Sequence, residues 1–322
     1  MRRLNILTWH THGAYLLYLT QAPHEFYVLC KPGRPPGYGG RGGHLPWGAN
    51  VHDLPVEAAK DQPLDLIVFQ DDAQYLEDQH RYLSAAQRRL PKIYLEHDPP
   101  RESPTDSRHP VADDPAVLLV HVTPFNRLMW DSGKAPTRVI EHGVIDPGYR
   151  YSGELARGLV VVNHLARRGR RLGFDVYASL KEDIALDLVG MGAEEAGGLG
   201  EVLHAELPGF AGRYRFLFNP IRWTSLGLAV IEAMMAGLPV VALATTEMST
   251  VIRDGANGFA HTDPALLAAR MRFLLEHPAD ARALGREARR TALERFGIGR
   301  FAAGWDAAFH EVTGATHERF VA

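Results

Sequence analysis

Cysteine is nearly absent from this chain of 322 residues, Cys30 being the only one. No internal disulfide is therefore possible, and such usage suits a reducing cytoplasm. An excess of one charge is missing too. With 35 Lys and Arg against 38 Asp and Glu, the net charge of -3 gives no electrostatic reason to expect nucleic acid or an anionic membrane surface. The opening "MRRLNILTWHTHG" reaches His10 before any apolar core long enough for a signal peptide. The longest apolar stretch is interrupted by Glu232 and Pro239, so no transmembrane helix is expected. No Walker sequence, zinc-ligand spacing or serine nucleophile elbow occurs. "GYGGRGG", residues 37 to 43, matches G-x-G-x-x-G, but "KPGRPP" precedes it and "HLPWG" follows. A dinucleotide fingerprint must pass directly from strand to helix, so this stretch reads as a flexible loop.

What is present is ordinary globular material, 46% hydrophobic and 23% charged, long enough for two domains of about 150 residues each. Strands alternate with helices in both halves, the pattern of doubly wound α/β domains. In the first half strands are expected at "LNILTW", "EFYVLC", "LDLIVF", "KIYLEH" and "AVLLVHV", with helices near 14 to 21, 74 to 89 and 124 to 132. The alternation restarts with "GLVVVN", "FDVYAS", "LDLVGMG", "YRFLFNP" and "LPVVAL". The Gly, Pro and Tyr-rich stretch from 143 to 153 marks the joint, giving domains over 1–150 and 151–322. After Pro264 the tail reads as amphipathic helices separated at Pro278, with a last one at "RFAAGWDAAFHEV".

"GLAVIEAMMAGLPVVAL", residues 227 to 243, sets one carboxylate, Glu232, in an apolar run. Ser225 is the expected cap of a helix starting near Leu226, and Gly237 stands where a left-handed terminal residue is wanted. The helix has no polar face and should be largely buried. An unpaired charge there would cost several kcal/mol, so Glu232 must meet a donor. Either an Arg or backbone amides supply it inside the fold, or a ligand hydroxyl pair does.

Three polar constellations stand at or beyond expected strand ends, where such domains bind ligands. In "TWHTHGAY", Gly13 opens a helix and can let a ligand approach the backbone, while the plainer reading of His10 and His12 is as hydrogen-bonded residues at a strand end. In "YLEHDPPR", His97 and Asp98 end a strand and two prolines fix the exit. In "VNHLARRGRRLG", four arginines and a histidine follow the strand that starts the second half. Forked arginines suit a diphosphate. An arginine run is usually solvated, so one or two of Arg167, Arg168, Arg170 and Arg171 are expected to touch a ligand.

From Asn219 on, "NPIRWTSLGLAVIEAMMAGLPVVALATTEMSTVIRDGANGF" resembles the donor-binding stretch of retaining glycosyltransferases of the GT-B fold, family-four type (glycosyl transferases group 1). That family shows Pro-Ser-x-x-Glu-Gly-Phe-Gly, a helix with Glu-Ala-Met-Ala, Gly-x-Pro-Val-Val-Ala and a later Asp-Gly-x-Asn-Gly. The spacing is ungapped from Pro220 to Ala242. "VIEHGVIDP" is similar to the family's interdomain Asn-Gly-Val-Asp, and "LLEHPADARALGREARRTALERF" to its C-terminal helices. The resemblance covers roughly residues 137 to 310 and is thin before them.

The resemblance implies an α/β fold of two Rossmann-like, doubly wound domains facing a cleft, with C-terminal helices crossing back. The N-terminal domain would be the acceptor side and the C-terminal domain the nucleotide-sugar donor side. Glu232 would hold the ribose hydroxyls, as a carboxylate can. The family's first glutamate, which contacts the donor sugar, falls on Thr224. Its Gly-Arg-Leu arginine falls on His164, and its lysine on Arg168 or Arg167. Arg168 and the backbone amides of Ser225, Leu226 and Gly227 would supply positive charge at the departing phosphate, with Leu228 beside them in the donor site. His97 would bind the donor sugar or orient the acceptor. The implied catalytic set is His97, Arg168 and Thr224; the donor-binding set is Gly13, Arg167, Ser225, Leu226, Gly227, Leu228 and Glu232. No metal or other cofactor is expected, because the Asp-x-Asp pair that often holds a nucleotide diphosphate through a divalent metal is missing. The acceptor would be a glycan, a lipid-linked or a small molecule, and peripheral membrane contact is left open. The alternatives are a non-catalytic nucleotide-sugar-binding partner protein, suggested by Thr224, and a nucleotide-sugar epimerase or hydrolase of the same fold.

Overall fold

The structure, a computed structural model, describes residues 2–319. The strands are short apolar runs. β1 (Asn5–Thr8), β2 (Glu25–Cys30), β3 (Val51–Pro55), β4 (Leu66–Phe69), β5 (Lys92–Glu96), β7 (Val117–His121) and β9 (Thr137–Val139) form one sheet. The two-residue strands β6 (Ser107–Arg108) and β8 (Trp130–Asp131) pair separately. The large sheet has the order β3-β2-β1-β4-β5-β7-β9, with every pairing parallel. Every residue of β4 and β7 is buried, as expected where helices and loops cover both faces of a parallel sheet. Trp9, Phe69 and Tyr94 anchor the core on one side, and Trp9 stacks on Phe69 with centroids 5.5 Å apart. Strand order reverses between β1 and β4, so the crevice beyond their carboxyl ends is the switch point at which such sheets bind ligands.

The second sheet runs β11-β10-β12-β13-β14, also parallel, from β10 (Leu155–Val161), β11 (Leu186–Val189), β12 (Tyr214–Asn219), β13 (Val240–Leu243) and β14 (Gly258–His261). Its switch point lies between β10 and β12. The expected strand "FDVYAS" is instead helical, within Phe174–Lys181, which buries Val176, Tyr177 and Leu180. Those positions follow helical rather than alternating spacing, and the left-handed Gly173 (φ +80°) starts the helix. Glycine is required there, since a Cβ would come within 1.8 Å of the Pro220 carbonyl oxygen. The fifth strand is β14, which was not expected from the sequence.

The helix carrying Glu232 spans Leu228–Ala236, with Gly227 as its N-cap and the left-handed Gly237 (φ +95°) ending it. Ser225 is not the cap. It lies two residues earlier, buried, where its carbonyl accepts from the Thr246 hydroxyl at 3.1 Å. Between 74 and 89 the expected helix is broken into a π-turn (Gln74–Asp78), a short α-helix (Gln79–Tyr82) and a 3-10 turn (Gln87–Arg89). The two tail helices, Pro264–Glu276 and Pro278–Phe296, separate at Pro278 as expected.

The chain divides into two compact units, residues 1–143 with the segment from 298 onward, and 144–297. The last helix, Ile298–Arg319, thus groups with the first unit rather than with the rest of the tail. Phe301, Trp305 and Phe309 are fully buried in it; Phe301 meets the Tyr15 ring edge-on and Phe309 the Phe26 ring. Among the described residues no helix is long and apolar enough to cross a membrane.

Candidate functional site

In the first unit, a cavity of about 470 Å³ opens beyond the carboxyl ends of β1, β4 and β5. Its wall draws on Thr11 and His12 after β1, Gln70, Asp71 and Asp72 after β4, and Glu96, His97 and Asp98 at the end of β5, with Tyr94 and Trp130 beside them. The two N-terminal motifs singled out in sequence therefore meet here: the His12 and His97 rings lie 4.4 Å apart between centroids, with Tyr15 edge-on to His97 at 4.8 Å.

A glutamine fixes the tautomer of His97. The Gln70 amide nitrogen donates to the Thr8 hydroxyl oxygen (2.8 Å) and the Trp9 carbonyl (2.9 Å), so its oxygen faces His97 Nε2 at 3.0 Å and accepts from it. The proton is thus on Nε2 and the lone pair on Nδ1. Loss of hydration, with smaller contributions from His12 and His142, holds His97 well below the usual imidazole range. At neutral pH it is a neutral acceptor, able to orient a hydroxyl.

Glu96 accepts from the Asp98 amide (2.8 Å) and from His109 Nε2 (3.2 Å). Burial raises its pKa against those two bonds. Asp72 accepts from the Tyr94 hydroxyl at 2.7 Å, and Trp130 Nε1 donates to the Asp98 carbonyl at 2.9 Å. Gly13 starts the helix Gly13–Leu19. A Cβ there would meet His10 Nε2 and Leu45 Cδ1 at 3.0 Å, so the glycine makes room for two side chains. His10 is hydrogen-bonded through Nδ1 to the Gly40 carbonyl at 2.7 Å, and no helix follows the glycine loop at 37 to 43.

In the second unit, Glu232 meets a histidine: His204 Nε2 lies 3.2 Å from its Oε1. The bond to Glu232 raises the His204 pKa against a smaller effect of burial. Both side chains keep some access to solvent, 26% for His204 and 13% for Glu232. Sequence reasoning missed His204, which stands in a loop 28 residues away with no motif around it; its only signal is a polar residue amid "EVLHAELPG".

The loop that carries Thr224 is pinned on both sides. Thr245 donates to the Ile221 carbonyl (2.9 Å) and Thr246 to the Ser225 carbonyl (3.1 Å). Arg222 is paired with Asp175, which also takes Arg170 at 2.8 Å. Arg170 is therefore committed within the fold. Of the other predicted donor-side residues, Arg167 is exposed, Arg168 half-buried, Leu226 buried, and Gly227 and Leu228 half-buried at the helix start. His164 stands at the carboxyl end of β10 in the left-handed conformation (φ 52°). Its Nδ1 is buried with no hydrogen-bond partner. A non-glycine residue held there marks strain of the kind found at ligand sites.

One group of possible metal ligands occurs among the described residues, His24, Asp306 and His310. Its hydrogen bonds argue otherwise. The Leu4 amide donates to His24 Nδ1 (3.2 Å), leaving Nε2 to donate to Asp306 at 3.0 Å, and His310 Nδ1 donates to the Asp306 carbonyl at 2.9 Å. The nitrogens facing Asp306 carry protons, and the cluster fastens the last helix within its own unit.

Residues 174–277 match the family model of the glycosyl transferases, group 1. The solved structure of sucrose-phosphate synthase from Thermosynechococcus elongatus is similar over 98% of this chain and 100% of its own, with TM-score 0.72 and 17% identity. The fold is GT-B. HepE of Anabaena in complex with UDP and glucose shares it, with TM-score 0.67 and 16% identity over 94% of this chain and 98% of its own. So does a glycosyltransferase from Rickettsia africae, with TM-score 0.68 and 12% identity over 97% and 99%. No curated protein matches the chain in sequence. Within the GT-B fold, the family match lies wholly in the second unit and takes in Thr224 and Glu232, whereas the formed cavity lies wholly in the first.

Proposed function

We propose that the protein is a retaining glycosyltransferase that moves a sugar from a nucleotide-diphosphate donor, held by the second unit, to a hydroxyl of an acceptor held in the cavity of the first. The observation that carries this reading is Glu232, a partly accessible carboxylate inside the family-matched segment, paired with a histidine. Such a carboxylate can accept from two vicinal ribose hydroxyls. The complex of HepE with UDP-glucose makes UDP-glucose the first donor to test.

In the proposed reaction the bond from the sugar's anomeric carbon to the diphosphate breaks and the acceptor oxygen bonds to that carbon on the same face. The departing phosphate takes the acceptor's proton. Positive charge is needed where the diphosphate leaves, and Arg168, Arg167 and the amides around Gly227 are the groups proposed to supply it. His97, neutral with its lone pair on Nδ1, orients a substrate hydroxyl. Binding is proposed to be metal-independent, since the sequence has no Asp-x-Asp and does have these arginines. Loss of nucleotide binding in EDTA with recovery in magnesium would refute that proposal.

Incubation with UDP-, GDP- and ADP-sugars tests the whole reading: hydrolysis or transfer of one of them supports it. A second reading, a nucleotide-sugar-binding partner without turnover, is favoured by Thr224, which brings no charge where the family has a glutamate. A wild type silent on every donor, beside a Thr224→Glu variant that turns one over, would establish that second reading. Conversion of one nucleotide sugar into another would mark an epimerase.

A further inference from the structure

The position of the proton on His97 traces back to two main-chain carbonyls. The Thr8 hydroxyl donates to the Val68 carbonyl at 3.0 Å, which leaves its oxygen to accept from Gln70 Nε2 at 2.8 Å. The second hydrogen of that amide goes to the Trp9 carbonyl at 2.9 Å. A carbonyl cannot donate, so the Gln70 amide cannot turn over and exchange its oxygen for its nitrogen. The main chain of Gln70 is tethered as well. Its N–H donates to Gln74 Oε1 at 2.7 Å, and Gln74 Nε2 donates in turn to the Thr11 hydroxyl oxygen at 2.9 Å. Thr8, Gln70 and Gln74 are all buried, where each unmade bond would cost more than at the surface.

The chain ends on His97 Nε2, 3.0 Å from Gln70 Oε1. No hydrogen bond among the described residues engages Nδ1, the other nitrogen of a residue that lines the cavity. A carboxylate in the place of Gln70 would favour a protonated imidazole, as an opposite charge does, whereas a neutral amide supports the neutral ring. The rings that meet His97, those of His12 and Tyr15, bring no negative charge, and His12 and His142 both oppose protonation. We propose that Gln70 is a positioning residue of the transfer reaction, which holds His97 as a permanent hydrogen-bond acceptor for a substrate hydroxyl and keeps it from acting as the base or as a proton shuttle. The reaction in this proposal rests on the glycosyltransferase reading; the control of His97 by Gln70 does not.

The test joins nitrogen NMR of the histidine rings in the full chain with turnover of UDP-glucose, or of whichever UDP-, GDP- or ADP-sugar the wild type turns over. Wild-type His97 should show the Nε2–H form and no titration from about pH 6 to pH 8. Gln70→Met, similar in length but without an acceptor, should move the ring towards the Nδ1–H form. It should also lower kcat/KM at least about tenfold while the Kd of the free nucleoside diphosphate stays within about twofold. Gln70→Glu should keep the Nε2–H form at about pH 8 but make His97 titrate below it, so that turnover falls at least about fivefold towards pH 6, beyond any change in the wild type. If Gln70 only held the fold together, both variants would lose turnover alike at every pH and leave the proton on His97 where it was. That result would overturn the proposal, as would an Nδ1–H ring in the wild type, a measurement that needs no variant to fold. If a nucleotide sugar is turned over equally well by wild type and Gln70→Met, this inference falls and the transferase reading stands. If the spectra are as expected but no nucleotide sugar is bound or turned over, the control of His97 stands and the transferase reading falls.

Discussion

In the first unit His121 is removed from water and its pKa falls to about 3, first through burial and then through His109 and Arg127. In the second unit His204 is held against Glu232 and its pKa rises. The same side chain is thus a neutral, desolvated ring in one unit and half of an ion pair in the other. The difference follows from what surrounds each ring. In the first, His121 is removed from water with His109 and Arg127 nearby, so a protonated ring there would be costly. In the second, the Glu232 carboxylate lies against His204 and favours the protonated ring.

Acidification should therefore harm the first unit most, and this is the largest effect expected. A histidine whose folded pKa lies below its unfolded value of about 6.5 contributes stability above that value, and the contribution is lost as the pH falls below it. Between pH 7 and pH 5, His121 alone should remove about 2 kcal/mol. His97 and His24, both lowered chiefly by burial, act in the same direction. Urea unfolding at the two pH values measures the loss, and equal midpoints and slopes at both would contradict the buried placement of these rings.

Next in size is Glu232→Ala, expected to weaken nucleotide affinity by about 1.5–3 kcal/mol, the range for hydrogen bonds to a charged group, while the fold persists. Should the variant unfold yet bind nucleotide normally in its folded fraction, Glu232 is structural and the two units do not differ as argued. Thr224→Ala should be milder. A lost hydroxyl bond is worth about 0.5–1.5 kcal/mol, and the change should appear as altered discrimination among sugars on one nucleotide with affinity for the free diphosphate held. Uniform loss across all sugars and the free nucleotide would place Thr224 away from the sugar.

The smallest effect concerns the His204–Glu232 pair, which is solvent-accessible and so worth under about 1 kcal/mol. A raised histidine pKa contributes stability below the unfolded value that disappears as the pH rises through the folded one, opposite in sign to the first unit. Thermal unfolding of wild type and His204→Gln from pH 6 to pH 9 should show the wild type losing its advantage as the pH rises. An advantage constant across that range would mean that the pair is not ionic.

Much of this was legible in the sequence where the physics is local. Runs such as "LIVF" and "VLLVH" were legible as strands, and Pro278 as a break between helices. β3 was missed because "VHDLP" is half polar, at the sheet edge and closed by proline. "FDVYAS" was misread because six residues do not separate a two-residue period from a helical one unless the glycine before them is weighed. At the candidate site, His12 and His97 were flagged separately as strand ends, but their meeting depends on the order β1-β4-β5, which no local pattern contains. Gln70, which sets the His97 tautomer, and His204, which meets Glu232, lie 27 and 28 residues from their partners and carry no signature of their own.

The return of the last helix to the first unit makes the second unit, in effect, an insertion. Val144 and Gly297 form a bridge, with the Val144 amide bonded to the Phe296 carbonyl at 2.9 Å, so the inserted unit begins and ends at one spot. On the ribosome this dictates a schedule. The first unit's sheet emerges early but must wait, without the helix that buries Phe301, Trp305 and Phe309, until the whole of the second unit has been made. At about 5–20 residues per second that wait lasts on the order of ten seconds or more, time enough for the inserted unit to fold first and for a half-covered sheet to need protection from its neighbours.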